Sequence, residues 1–132
     1  MADHYSDIHQ SFNRCLQQRE FLRRFYTIFT QGHPSIAQRF RNTDWDKQID
    51  LLRHGISASI LYAAGESLGE YELEELARSH GPKGYDIPGW MYDIWLDALV
   101  QALSETDPRW DEHLERRWRE AMGHAIRRIR GH

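Results

Sequence analysis

The chain has 132 residues, 40% of them hydrophobic and 28% charged, with a formal net charge of −3. That length suits one domain, residues 1–132, with a sizeable core, and the negative balance argues against a generally basic nucleic-acid binder. No apolar stretch reaches the roughly 20 residues that span a bilayer. The start, Met1-Ala2-Asp3-His4-Tyr5-Ser6-Asp7, lacks the basic-then-apolar pattern of a secretory signal, so a soluble cytoplasmic protein is expected.

One valine, Val100, and four threonines stand against many Leu, Ala, Arg, Glu and Gln residues. Straight-chain residues suit helices and β-branched ones suit strands, so the expected fold is all-α. Mean hydropathy is −0.75. With so polar a surface, five Trp, six Tyr and five Phe must supply much of the core volume.

The first helical stripe runs from about Tyr5 to Leu16 through Ile8, Phe12 and Cys15; a second carries Phe21, Phe25, Ile28 and Phe29 to Gln31. Their spacing fits one bent helix or two. Gly32-His33-Pro34 ends the second, and Pro34 starts a short turn of helix to Phe40. Thr43 or Asp44 can cap the next helix, about Trp45 to Ala64, where Gln48, Leu52, Ile56, Ser59 and Ala63 make one line. Gly65-Glu66-Ser67-Leu68-Gly69 breaks it.

In the following segment Leu73, Leu76, Ala77 and His80 share a stripe, and Gly81-Pro82-Lys83-Gly84 closes it. Pro88-Gly89 opens a fifth long pattern, from Met91 to Leu103. Asp107-Pro108 has the form of an N-cap and first-turn proline for the last helix, which carries Trp110, Leu114, Trp118, Ala121, Met122, Ala125 and Ile129 on one face. Arg116, Arg117, Arg119, Arg127, Arg128 and Arg130 read as the solvated face of that helix. Cys15, the only cysteine, fits a buried helix face and excludes both an intramolecular disulfide and a Cys-x-x-Cys-His attachment motif.

An imidazole on an apolar stripe suits a ligand to a hydrophobic cofactor, and Tyr26, Phe40 and Gln48 are the residues able to face it. Individually each has a plain structural explanation. His80 sits near a helix end where it can meet the last carbonyls. Tyr26 beside Phe25 suits a core, Phe40 a core plug, and Gln48 a solvated helix start.

Taken together, Phe25-Tyr26, Pro34, Phe40, Asp44-x-x-x-Gln48 and His80 resemble the bacterial globins, of the truncated haemoglobin (group I-like) or single-domain sensor kind. The most specific stretch is Phe40-Arg41-Asn42-Thr43-Asp44-Trp45-Asp46-Lys47-Gln48. Tyr92-x-x-Trp95-Leu96-x-x-Leu99, Asp107-x-x-Trp110 and Trp118-Arg119 look like the last two globin helices, so the resemblance covers about residues 20 to 128.

The resemblance implies a globin-like helical sandwich around a non-covalent haem b. His80 would bind iron, Tyr26 and Gln48 would be distal hydrogen-bond donors, and Phe40, Leu52 and Ile56 apolar walls. Charge-assisted hydrogen bonds of about 1.5–3 kcal/mol each would favour O2 over CO. The short link from Phe40 to Trp45 leans towards a two-over-two arrangement. Lys47, Arg53 and Arg78 are candidate propionate partners, while His33 and His54 read as surface or packing residues.

The sequence departs from the family pattern at Ala63-Ala64-Gly65-Glu66, where short globins usually carry Gly-Gly. It departs again at Leu52, where many have a second Gln, and at Leu51, where some have an iron-binding histidine. Expected function is reversible binding of O2, NO and CO by a monomer or weak homodimer, or NO dioxygenation with an external reductase. Peroxidase activity is disfavoured, since no distal histidine stands at Gln48 to act as acid–base catalyst. The alternatives are a haem-based gas sensor acting through a partner protein and a haem-free helical interaction module.

Overall fold

The first two stripes form two helices rather than one bent one. The computed structural model describes residues 4–81 and 84–130. Over these it forms α1 (Ser6–Leu16), α2 (Phe21–Gln31), α3 (Pro34–Arg39), α4 (Trp45–Ala63), α5 (Ser67–His80), α6 (Gly89–Thr106) and α7 (Glu112–Ile129). All of them are α-helices, and no described residue lies in a strand. Between α1 and α2 the chain closes on itself through Gln18 N–H to the Cys15 carbonyl (2.9 Å) and Phe21 N–H to the Gln18 carbonyl (3.1 Å). None of the helices is long and apolar enough to cross a membrane.

Two helix starts differ from the sequence expectation. Asp107 does not cap α7; it ends α6, and Asp111 caps α7 by accepting from Leu114 N–H at 2.7 Å. Both aspartates precede an apolar face, and only one has its neighbours free to form the first turn, because Asp107 is drawn into the core by α1. The segment Ser67-Leu68-Gly69 is not a break but the first turn of α5. Gly65, with φ of 81°, makes the actual turn, in a left-handed conformation that glycine adopts at little cost. Asp44 caps α4 as expected, through Lys47 N–H at 3.3 Å. Pro82 and Lys83, part of the expected stop after His80, and Met1 to Asp3 of the amino-terminal segment lie outside the described residues.

α4 packs along α5 and α7, α5 also lies on α7, and α2 runs along α6, which in turn meets α7. α1 touches α7, α2, α4 and α6. The link from Phe40 to Trp45 is short, as the sequence implies, and α1 and α5 are helices of 11 and 14 residues.

The core is aromatic where α1, α2 and α7 meet: Phe12 lies edge-on to Phe21 (6.3 Å) and to Trp118 (6.1 Å). Ile56, Ile60, Leu99, Leu103 and Met122 fill the centre. Leu114, Trp118, Ala121, Met122 and Ala125 of the expected stripe are buried on α7, Trp110 precedes the helix, and the arginines are not all solvated. Arg117 is 18% exposed and holds Asp7 at 3.0 Å, while Arg119 spans to Asp97 at 2.9 Å.

α4 and α5 approach most closely at Gly69. A Cβ there would press into the backbone of Leu61 and Tyr62, with the Leu61 carbonyl carbon at 2.6 Å. Backbone cannot yield as a side chain can, so Gly69→Ala is expected to cost about 1–3 kcal/mol. The check is the urea midpoint. An unchanged midpoint would mean that the two helices slide apart freely.

Candidate functional site

α2 and α4 bring Tyr26 and Gln48 into direct contact. Tyr26 follows Leu22 by one turn on the buried face of α2, and Gln48 lies one turn inside α4, whose start the Asp44 cap sets. The Gln48 Nε2–H donates to the Tyr26 hydroxyl oxygen at 3.0 Å. The phenol proton has a poor acceptor by comparison, the Gln48 backbone carbonyl at 3.5 Å, the outer limit of hydrogen bonding. The phenol therefore has its oxygen engaged and its proton nearly unspent. Burial pushes its pKa up to about 12, against a smaller downward pull from Gln48, so the proton stays on oxygen.

Phe40 and Trp45 complete the surroundings of that phenol. Their rings stack at 5.8 Å, and lie 5.5 and 5.1 Å from the Tyr26 ring. Trp45 was missed as a site residue because its helical spacing matched the general core stripe of α4. The signal available was its position between Phe40 and Gln48. Leu52 and Ile56 are buried in the same cluster as Tyr26, one and two turns along α4 from Gln48. Leu51 points to solvent at 53% exposure.

His80 forms a second centre on α5. Its Nδ1 lies 2.9 Å from the Leu76 carbonyl and 3.0 Å from the Ser79 hydroxyl, which itself donates to Leu76 at 3.0 Å. A carbonyl only accepts, so Nδ1 carries the ring proton and the lone pair is left on Nε2. Nε2 meets no hydrogen-bond partner among the described residues. Burial lowers the pKa of the ring, outweighing the bond to Leu76, and this keeps the imidazole neutral.

Tyr85 and Tyr92 flank His80 at 6.2 and 6.5 Å between ring centres. The loop after α5 folds back on it through Tyr85 N–H to the Ser79 carbonyl (2.8 Å) and Ile87 N–H to the His80 carbonyl (3.0 Å). Arg39, at the end of α3, donates to the Tyr85 carbonyl at 3.0 Å and ties that loop to the segment bearing Phe40.

Tyr26, Phe40 and Gln48 thus form one cluster with Leu52 and Ile56 behind it. His80 makes no hydrogen bond or ring contact with any of them among the described residues. Nor do three His, Cys, Asp or Glu side chains gather into a metal site among the described residues.

The other sequence candidates are occupied elsewhere. Arg53 pairs with Asp50 at 2.9 Å, and Arg78 with Glu75 at 3.1 Å, both within their own helices on exposed faces. Lys47 is exposed. His54 bonds Glu72 at 2.9 Å across α4 and α5, and His33 caps α3 through Ser35 N–H at 3.1 Å, its ring tilted against Trp90.

No protein-family model matches the sequence, and no curated protein does. Among solved structures the chain is similar to a protein from Pseudomonas aeruginosa PAO1, described as structurally highly homologous to a human hemoglobin. The two superpose with a TM-score of 0.91 and share 36% sequence identity, over 96% of this chain and 95% of that one.

Proposed function

Because the chain belongs to the bacterial globin-like proteins, we propose that it holds a non-covalent haem b between His80 and the Tyr26–Gln48 cluster and binds diatomic gases there. The observation that carries this reading is the state of His80: a neutral imidazole, Nδ1 turned onto the Leu76 carbonyl and Nε2 without a partner. A metal-binding histidine needs that tautomer, and a backbone carbonyl on the other nitrogen is the usual device that holds it. A lone imidazole suits a metal whose other ligands come from a macrocycle. The residues present therefore fit the group.

Haem, if bound, would be held by His80 and would supply an iron able to take a diatomic ligand. Leu76 and Ser79 orient the imidazole. Phe40, Leu52 and Ile56 offer apolar walls that keep water away from the distal side.

Tyr26 donates its hydroxyl proton to the ligand, and Gln48, by donating to the same oxygen, makes that proton a better donor. O2 carries more negative charge in such a site than CO, so the donor discriminates between them. One charge-assisted bond of about 1.5–3 kcal/mol corresponds to roughly 10- to 150-fold in dissociation rate.

Tyr26→Phe should therefore speed O2 release by at least about tenfold and CO release by less than about twofold. Stopped-flow ligand replacement on the ferrous protein measures both. Equal effects on the two gases would remove Tyr26 from the role. The prior requirement is an intense Soret band in the purified protein that shifts when reduced protein meets CO. A colourless protein that does not take up haem would instead favour a helical interaction module.

A further inference from the structure

We propose that two copies of the chain pair about a two-fold axis through the groove between the start of α5 and the end of α7, Glu66 and Glu70 of each copy meeting Arg127 and Arg128 of the other. The groove has a volume of about 490 Å³. Glu66 and Glu70, one turn apart at the head of α5, form one bank, and His124, Arg127 and Arg128 on the last turns of α7 form the other. Half-buried Tyr62, from the end of α4, lies between them. Tyr26, Gln48 and His80 do not line this groove, so the proposal stands apart from the haem-binding reading.

The charges of the two banks are unspent. Elsewhere on the molecule, opposite charges on neighbouring helices close on each other: Arg24 on Glu105 at 2.7 Å, Arg119 on Asp97 at 2.9 Å and Arg23 on Asp46 at 3.1 Å. Across this groove none does among the described residues. Arg127 donates to His124 Nδ1 at 2.9 Å, while the side chains of Arg128, Glu66 and Glu70 have no hydrogen-bond or ion-pair partner among the described residues. A guanidinium carries five N–H donors, so most of the donating capacity of both arginines is free for another molecule.

Opposite signs on facing banks restrict the occupant. A uniformly acidic or basic partner would pair with one bank and be repelled by the other. A second copy carries both signs at the same separation, and a two-fold rotation sets each acidic bank against the other copy's basic one. Every contact is then made twice.

Gly123 borders the basic bank, one turn before Arg127 on α7. Among the described residues, a Cβ there would meet only Arg127 Nη1, at 3.5 Å, an ordinary contact. Glycine weakens a helix interior relative to alanine, and no packing within the chain calls for it at this position. It leaves the shoulder of α7 low where the second chain comes in. Exposed ion pairs are individually weak and are screened by salt, so the dimer is weak and salt-sensitive.

Analytical ultracentrifugation tests the pairing. Between about 10 µM and 1 mM the purified protein should pass from monomer to dimer at low ionic strength, and about 0.5 M salt should weaken the association by about tenfold or more. Chains carrying Arg127→Glu with Arg128→Glu, or Glu66→Arg with Glu70→Arg, should each stay monomeric, because each presents one sign on both banks. Mixed in equal amounts, the two variants should form a dimer with one chain of each kind, since opposite signs face each other again. Circular dichroism reports whether each variant is folded, and the wild-type series needs no variant at all. A wild-type chain that stays monomeric at about 1 mM in low salt overturns the proposal and leaves the groove to an occupant of another kind. So does a dimer that survives the reversal at Arg127 and Arg128, or a pair of folded variants that fail to associate when mixed.

Discussion

His80→Gly protein should lose the ferrous haem spectrum of the wild type and bind haem well over tenfold more weakly, because losing even an outer partner of a metal-binding histidine costs about 10- to 100-fold in affinity. Added imidazole should restore the spectrum, since glycine leaves the ring's volume open and the Leu76 carbonyl remains as an acceptor for the new Nδ1 proton. The rescue separates ligation from folding: a merely structural histidine at the end of α5 has no reason to be replaced by a free ring that changes the iron's colour. Identical ferrous and CO spectra in wild type and variant would sink the assignment.

The same nitrogen sets a pH limit. Burial holds the imidazole pKa below its ordinary value of 6.5. Protonation therefore competes with ligation only as pH falls through that lowered value, so haem release on acidification is expected to begin below pH 6.5. Release centred above it would mean that another group controls the loss.

Asp107→Ala should destabilise the fold more than any substitution at the site. Asp107 is 4% exposed, yet its carboxylate is fully satisfied. It accepts from Arg14 at 2.7 and 2.9 Å, from Ser11 at 2.6 Å and from Arg109 N–H at 2.9 Å, while Trp118 Nε1 donates to Ser11 at 3.0 Å. One aspartate thus joins α1, the end of α6 and α7.

Removing one partner of a buried pair costs about 3–5 kcal/mol. The Arg14 side chain is 23% exposed and regains some hydration, so the expected loss is nearer about 2–3 kcal/mol, or roughly 8–12 °C in Tm for a chain of this size. Burial alone would raise the carboxyl pKa, but the bonds from Arg14 and Ser11 outweigh it and the net shift is downward.

The sign follows. A carboxylate whose folded pKa lies below its unfolded one contributes stability above the ordinary carboxylate range, and that contribution disappears as pH falls through the lower value. Urea midpoints of wild type and Asp107→Asn should differ at pH 7 and converge in acid. A gap that persists below both pKa values would show that packing, not charge, holds the corner.

Much of the candidate site was readable because each side chain carries its chemistry with it. Tyr26, Phe40, Gln48 and His80 stand out through their joint resemblance to the bacterial globins, each having a plain structural explanation alone, and three of them meet in one cluster. Trp45 was not, because an indole on an apolar stripe looks the same in sequence whether it fills a core or lines a pocket.

Asp107 was misread for a related reason. An aspartate before a proline carries the same local signal whether it caps the next helix or turns inward to an arginine 93 residues away in sequence. Local patterns report the nearest use of a residue, and both cases were decided by distant partners.

The sequence by itself determined the all-helical class, through its poverty in β-branched residues and its period of 3.6. It also offered Thr43 or Asp44 as the cap of α4, and identified the one histidine on an apolar stripe. Only the tertiary structure decided that α1 and α2 are two helices rather than one bent helix, and that the imidazole proton of His80 faces Leu76. Likewise, only packing joined the Gln48 amide to the Tyr26 oxygen. Periodicity is a property of a few consecutive residues and survives in isolation. Tautomer, donor direction and layer count depend on which surfaces of separate helices come within a few ångströms, and that is a property of the packed chain.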